Sequence, residues 1–153
     1  MGERTLLIDA DMRAPRQHEL FVLENKQGLS TVLSGRASSD CIVKIPLFDK
    51  LSVLPSGPLP PNPQELLNRP SFGELLAKAS GQFDVVLIDT AAYATGSDAS
   101  LAAMRAGAAL AIARQHETRL AALEGFVNTL VHSGVAVVGT VLNSPPLVQS
   151  SHA

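Results

Sequence analysis

The sequence predicts one α/β domain built on a mostly parallel sheet flanked by helices. Its 153 residues, 46% of them hydrophobic, are enough for a single buried core. Several short runs are apolar throughout instead of alternating with polar residues, as is typical of parallel strands buried on both faces. Helix-like segments and turn residues separate these runs. Alternating strands and helices of this kind predict an open α/β sheet.

Five apolar runs are predicted strands: residues 5–9, 51–57, 84–89, 107–113 and 135–142. Three segments are predicted helices: residues 28–35, residues 62–80 with an interruption at Pro70, and residues 117–134. The last has Leu120, Leu123, Val127 and Leu130 at helical spacing and ends at Gly134, so it is predicted to be an amphipathic crossover helix.

Composition argues against several classes of function. The formal net charge is −2 and no basic stripe occurs, which disfavours nucleic acid as a partner. Cys41 is the single cysteine, so no internal disulfide or CxxC metal site can form, which fits a cytoplasmic location. No apolar run approaches the roughly 18 residues that span a bilayer, so direct membrane insertion is not expected.

Polar residues follow the predicted strands where an open α/β sheet binds its ligands. Asp9 and Asp11 follow the first strand, Asp89 follows the strand over 84–89, and Asn143 follows the last. Three carboxylates at one edge would repel one another unless they share a cation or a proton, and Mg²⁺ is the natural candidate. As an alternative, each aspartate alone could simply form a turn.

Two acidic segments resemble a known family. TLLIDADMRAPRQHELF resembles the second acidic motif, Walker A-prime, of bacterial tyrosine kinases and the related polysaccharide chain-length regulators. FDVVLIDTAA is similar to their Walker B segment, and GLSTVLSG, LSVLPSGPLPPNPQELL and GVAVVGTVLN are similar to further stretches in the same order. The resemblance covers about residues 4–143, so residues 1–143 are predicted to form the domain and residues 144–153 a short polar tail. These kinases belong to the deviant Walker P-loop ATPases, together with MinD and ParA.

The resemblance implies a P-loop NTPase-like fold that uses ATP and Mg²⁺. It makes Asp9 and Asp11 the catalytic carboxylates, Asp9 and Asp89 the metal ligands, and Asn143 a contact to the adenine. It implies a protein-tyrosine kinase of exopolysaccharide or capsule synthesis, held at the inner face of the plasma membrane. The expected partner there is a membrane chain-length regulator, with a homo-oligomer as a further expectation.

One departure from the family concerns the phosphates. No GxxxxGK[ST] stretch occurs, although its backbone amides and lysine would cradle the phosphates. The expected fold is therefore partial, with the first β-α unit missing, and the chain alone is expected to lack activity. In the family the missing strand neighbours the Walker B strand, so the edge of residues 84–89 is expected to be unpaired.

Several other polar residues are interpreted as loop or surface residues without a catalytic role. Tyr93 is the single tyrosine and is interpreted as a loop residue, whereas family members end in a tyrosine cluster. Arg13, Arg16 and His18 are expected to be solvated. Two alternative functions stay open: a catalytically inactive module that docks on a membrane chain-length regulator, and a MinD- or ParA-like partition ATPase.

Overall fold

A computed structural model describes residues 2–144 of the chain. The strands are β1 (Thr5–Asp9), β2 (Val43–Lys44), β3 (Leu51–Leu54), β4 (Val85–Asp89), β5 (Ala108–Arg114) and β6 (Ala136–Asn143). The helices are α1 (Gln17–Leu20), α2 (Leu29–Leu33), α3 (Pro63–Asn68), α4 (Pro70–Ser80), α5 (Asp98–Ala106) and α6 (Leu120–His132). Two 3-10 turns lie at Ser39–Cys41 and Tyr93–Thr95. The chain divides into two compact units, one up to Arg105 and one from Ala106 onward.

The first unit contains a four-stranded sheet in the order β2-β3-β1-β4. β1 is parallel to both β3 and β4, and the short β2 runs antiparallel to β3. The continuous apolar run of β1 is explained by its central place, because Leu6 and Ile8 are fully buried. Among the described strands β4 pairs only with β1 and forms one edge of this sheet, as the sequence predicted.

The predicted interruption at Pro70 separates α3 from α4. α3 ends at Asn68, Arg69 is extended with ψ of 147°, and Pro70 is the first residue of α4. Proline disfavours helical backbone in the residue before it and is well tolerated in a first helical turn. The buried face of α4 then repeats at helical spacing through Phe72, Leu75, Leu76 and Ala79.

The second unit contains the parallel pair β5-β6 with α6 between them in sequence, which fits the predicted crossover helix. Its strands differ from the prediction that both faces are buried. Burial alternates along β5: Ala111 and Ala113 are buried, whereas Leu110 is 52% and Ile112 66% exposed. This alternation is typical of a sheet that is covered on one face only.

Three elements, α1, β2 and α5, are not predicted from the sequence. α1 is a single turn and β2 has only two residues, so neither is long enough to give a period. α5 buries Ala99, Ala102 and Ala103, and such small side chains give a weak apolar signal even at helical spacing. Within residues 2–144, no helix combines the length and apolar character needed to cross a membrane.

Candidate functional site

The parallel pairing of β1 with β4 brings the two predicted metal ligands together. Asp9 and Asp89 are direct register partners at the carboxyl ends of these strands. Asp9 is fully buried, and Asp89 and Asp11 are partly exposed. The structure therefore gathers the three predicted carboxylates near one edge of the sheet, as the strand pattern indicated.

The Asp9 carboxylate is held by two backbone donors. Its Oδ1 accepts a hydrogen bond from the Asp11 amide at 3.2 Å, and its Oδ2 accepts one from the Gln17 amide at 3.1 Å. Burial raises the pKa of Asp9, and the nearby charges of Asp89 and Asp11 raise it further, although the two amides act in the opposite direction. This buried negative charge would gain from a nearby cation.

Gln17, the first residue of α1, links the two metal-ligand candidates. Its side-chain Nε2 donates to Asp89 Oδ2 at 2.7 Å, while its backbone amide donates to Asp9. Gln17 was not predicted as a site residue, because an isolated glutamine belongs to no spacing motif. The only available signal was its place within the quoted Walker A-prime segment.

Asp11 closes a tight turn just beyond β1. Its Oδ1 accepts hydrogen bonds from the amides of Arg13 at 3.0 Å and Ala14 at 2.9 Å. The turn-forming interpretation of Asp11 therefore describes its local geometry. A carboxylate has two oxygens and about four acceptor positions, so this turn is compatible with a role of Asp11 in proton transfer.

Arg13 is exposed, as expected, but it also pairs with a buried carboxylate. Its guanidinium forms a two-pronged ion pair with Asp98, with Nε to Oδ2 at 2.7 Å and Nη2 to Oδ1 at 3.1 Å. Asp98 is only 2% exposed, and a buried carboxylate needs such a partner. Arg16 is solvated as expected, with a side chain 70% exposed that pairs with Glu19, whereas His18 is partly buried.

Asn143 and Tyr93 are the other two residues that the sequence singled out. Asn143 is the last residue of β6 in the second unit, where it is exposed and its carbonyl accepts the Gln115 amide at 2.8 Å. Its contact with adenine stays a prediction. Tyr93 begins the 3-10 turn after β4 and is 39% exposed.

The donor chemistry of Asp9 and Asp89 fits Mg²⁺. In residues 2–144 no three His, Cys, Asp or Glu side chains are grouped as a ready metal site. A pair of carboxylates suits Mg²⁺ nonetheless, because this ion prefers hard oxygen ligands and usually keeps several water molecules. Asp9 and Asp89 are the side chains that would hold it.

Comparison with known sequences finds relatives among tyrosine kinases, while no family model matches. The chain is 39% identical over 142 residues to the tyrosine-protein kinase wzc of Salmonella typhimurium, covering 93% of this chain and 20% of that protein. It is 31% identical over 150 residues to the putative tyrosine-protein kinase CapB of Staphylococcus aureus, covering 98% of this chain and 66% of that protein. The chain thus spans about one fifth of the length of relatives such as wzc.

Solved structures agree with these relatives. The kinase domain of the Escherichia coli tyrosine kinase ETK has a TM-score of 0.88 at 30% identity, over 99% of this chain and 60% of that one. The chimerical protein CapA2B2 has a TM-score of 0.86 at 34% identity, over 93% of this chain and 63% of that one. MinD of Pyrococcus horikoshii, solved with Mg-ADP, shares the fold, with a TM-score of 0.74 at 20% identity over 95% of this chain and 63% of that one. By sequence identity and by its P-loop ATPase-like fold, this chain belongs to the bacterial tyrosine kinase family.

Proposed function

We propose that this chain supplies the acidic, metal-binding half of the ATP site of a protein-tyrosine kinase. One observation supports this role above the others. Asp9 and Asp89 lie opposite each other on neighbouring parallel strands, with Gln17 bonded to both and Asp11 two residues beyond. By analogy with its relatives, the complete protein would act in exopolysaccharide or capsule synthesis.

In this proposal the three carboxylates have different roles in phosphoryl transfer. Bound Mg²⁺ would supply charge neutralisation at the phosphates, and Asp9 and Asp89 would hold it. Asp11 lies past the strand end and is more accessible than Asp9, so it is the better placed to accept the proton of a tyrosine hydroxyl. The tyrosine oxygen bonds to the γ-phosphorus of ATP while the bond from that phosphorus to the β-phosphate oxygen breaks, and ADP leaves.

The phosphate-binding loop must come from outside these 153 residues, because the sequence contains no GxxxxGK[ST] stretch. Asn143 would contact the adenine once the phosphate-binding loop is present.

The absence of a GxxxxGK[ST] stretch also supports a second candidate function, an inactive module that docks on a membrane chain-length regulator. In either case we expect a cytoplasmic domain that is held at the inner face of the plasma membrane through its partner or a fused membrane segment.

The proposal is tested in a protein that contains this chain together with a phosphate-binding loop. Asp11→Asn should lower kcat about 100-fold or more with little change in Mg-ATP affinity, because an amide cannot accept the proton. Asp89→Asn should instead weaken the magnesium dependence of ATP binding. Asp49→Asn, on an exposed loop, is the control. If Asp11→Asn and Asp89→Asn both keep turnover within about threefold of the parent, the kinase proposal is wrong and the inactive docking module is the better explanation.

A further inference from the structure

Asp98 is a buried carboxylate that the proposed phosphoryl transfer does not use. It is the first residue of α5 and is 2% exposed. Burying an ionised carboxylate is costly unless it is paired and hydrogen-bonded. The Arg13 guanidinium donates two hydrogen bonds to Asp98, from Nε to Oδ2 at 2.7 Å and from Nη2 to Oδ1 at 3.1 Å. Arginine can form this parallel pair of bonds and lysine cannot.

Gln64 and Gly96 pack closely around the Arg13–Asp98 pair. A hydrogen bond from Gln64 joins that from Arg13 in holding the pKa of Asp98 below its usual range. Gly96 lies against all three side chains. A Cβ at this position would lie 3.0 Å from Gln64 Nε2 and 3.4 Å from both Arg13 Nη2 and Asp98 Oδ1. Its φ of +154° is also a conformation that other residues rarely adopt.

The backbone of Arg13 is hydrogen-bonded to Asp11. The Arg13 amide donates to Asp11 Oδ1 at 3.0 Å, and the Ala14 amide donates to the same oxygen at 2.9 Å. The guanidinium of Arg13 is thus anchored on α5 while its backbone fixes the orientation of the Asp11 carboxylate. The contact chain runs from α5 to the loop after β1, two segments about 85 residues apart in sequence.

We infer that Asp98 is a positioning residue that acts through Arg13 to hold the Asp11 carboxylate in place. Its role in turnover rests on the proposed kinase function. Catalysis needs the base within hydrogen-bonding reach of the acceptor hydroxyl, and a displacement of about 1 Å can cost about 100-fold in rate. The competing explanation is that the pair only anchors α5 and has no effect on Asp11.

The first test uses this 153-residue chain and does not require activity. In Asp98→Asn the amides of Arg13 and Ala14 should exchange with solvent about tenfold faster than in the parent, because their shared acceptor is no longer fixed. Asp84→Asn is the matched control, since Arg4 and Asp84 also form a two-pronged pair, at 2.8 and 3.2 Å, in the same unit. If Asp98→Asn unfolds the chain, the same exchange measurement is made on Arg13→Lys, because lysine keeps the positive charge but not the two-pronged contact.

The second test measures turnover in the protein that also carries a phosphate-binding loop. Asp98→Asn should lower kcat about tenfold with the KM for ATP within about twofold, and Asp84→Asn should leave both unchanged. In an Asp11→Asn background, Asp98→Asn should cost less than about twofold, because both changes act on one group.

The two tests separate the two proposals. Unchanged exchange of the Arg13 and Ala14 amides would overturn the positioning role, as would a full tenfold loss in the Asp11→Asn background. Absence of any kinase turnover in the parent would overturn the proposed function, while the exchange measurement would still decide whether Asp98 fixes Asp11.

Discussion

Asp9 and Asp89 are register partners on adjacent parallel strands, and their carboxylates share one bridging residue. Burial disfavours the ionised state of Asp9, and the nearby charge of Asp89 adds to that cost. Gln17 offsets the cost by donating to both residues, through its backbone amide to Asp9 and its side chain to Asp89. The site therefore depends on a neutral donor placed between two acids.

The first prediction concerns the charge at position 17. Gln17→Ala should lower the free energy of unfolding by about 1 kcal/mol, the net value of a typical hydrogen bond. Gln17→Glu should cost about 1–3 kcal/mol at pH 7, because an additional carboxylate then faces Asp89 and the side-chain donor is lost.

Urea unfolding at pH 7 and at about pH 4.5 checks this, since partial protonation of the introduced carboxylate at the lower pH should reduce the stability loss of Gln17→Glu. Equal stability of Gln17→Ala and Gln17→Glu at both pH values would contradict a charge effect.

The second prediction concerns the exposed pair of Arg4 and Asp84. Hydrogen bonds from Arg4 lower the pKa of Asp84 to about 2. A carboxylate with a lowered pKa contributes stability above its unfolded value of about 3.9, and this contribution disappears as pH falls through the folded value. NMR titration should therefore give Asp84 a pKa near 2, and Arg4→Gln should move it upward. A titration of Asp84 near 4 in the parent would show that the pair does not persist in solution.

The third prediction concerns two glycines in opposite settings. A Cβ on Gly28 would lie 2.1 Å from the Pro55 carbonyl oxygen and 2.4 Å from the Gly57 nitrogen. The Leu29 amide donates to that same Pro55 oxygen at 2.8 Å, so the loop after β3 cannot withdraw without losing a hydrogen bond. Gly28→Ala should cost more than about 2 kcal/mol of stability.

Gly125 is the control, because it lies within α6 and a Cβ there would have open space beyond the local helix backbone and its chain neighbours. Gly125→Ala should stabilise the chain by about 0.5–1 kcal/mol through helix propensity. Thermal or urea unfolding of both variants checks the pair, and a Gly28→Ala protein as stable as the parent would rule out the close approach.

The sequence predicted every described strand except β2, the break at Pro70 and the three acidic residues, because each of these depends on local pattern. Apolar runs identify strands, proline ends a helix, and parallel strands place their carboxyl ends at one edge. Pairing partners from distant segments leave no such pattern. Gln17 and Asp98 contribute through contacts to Asp89 and Arg13 that span 72 and 85 residues, so only the folded chain reveals them.

The last prediction concerns nucleotide binding by the 153-residue chain itself. Asp9 and Asp89 can offer oxygens to Mg²⁺, but carboxylates repel phosphates, and ATP binding of this kind depends on backbone amides and a lysine that neutralise them. The sequence contains no GxxxxGK[ST] stretch to provide these groups. Isothermal titration of the chain with ATP in excess Mg²⁺ should therefore give no measurable heat of binding, and the same titration of a protein that adds a phosphate-binding loop should give saturable binding. A micromolar dissociation constant for the chain alone would mean that its acidic half suffices for ATP, and the division of the site proposed above would be wrong.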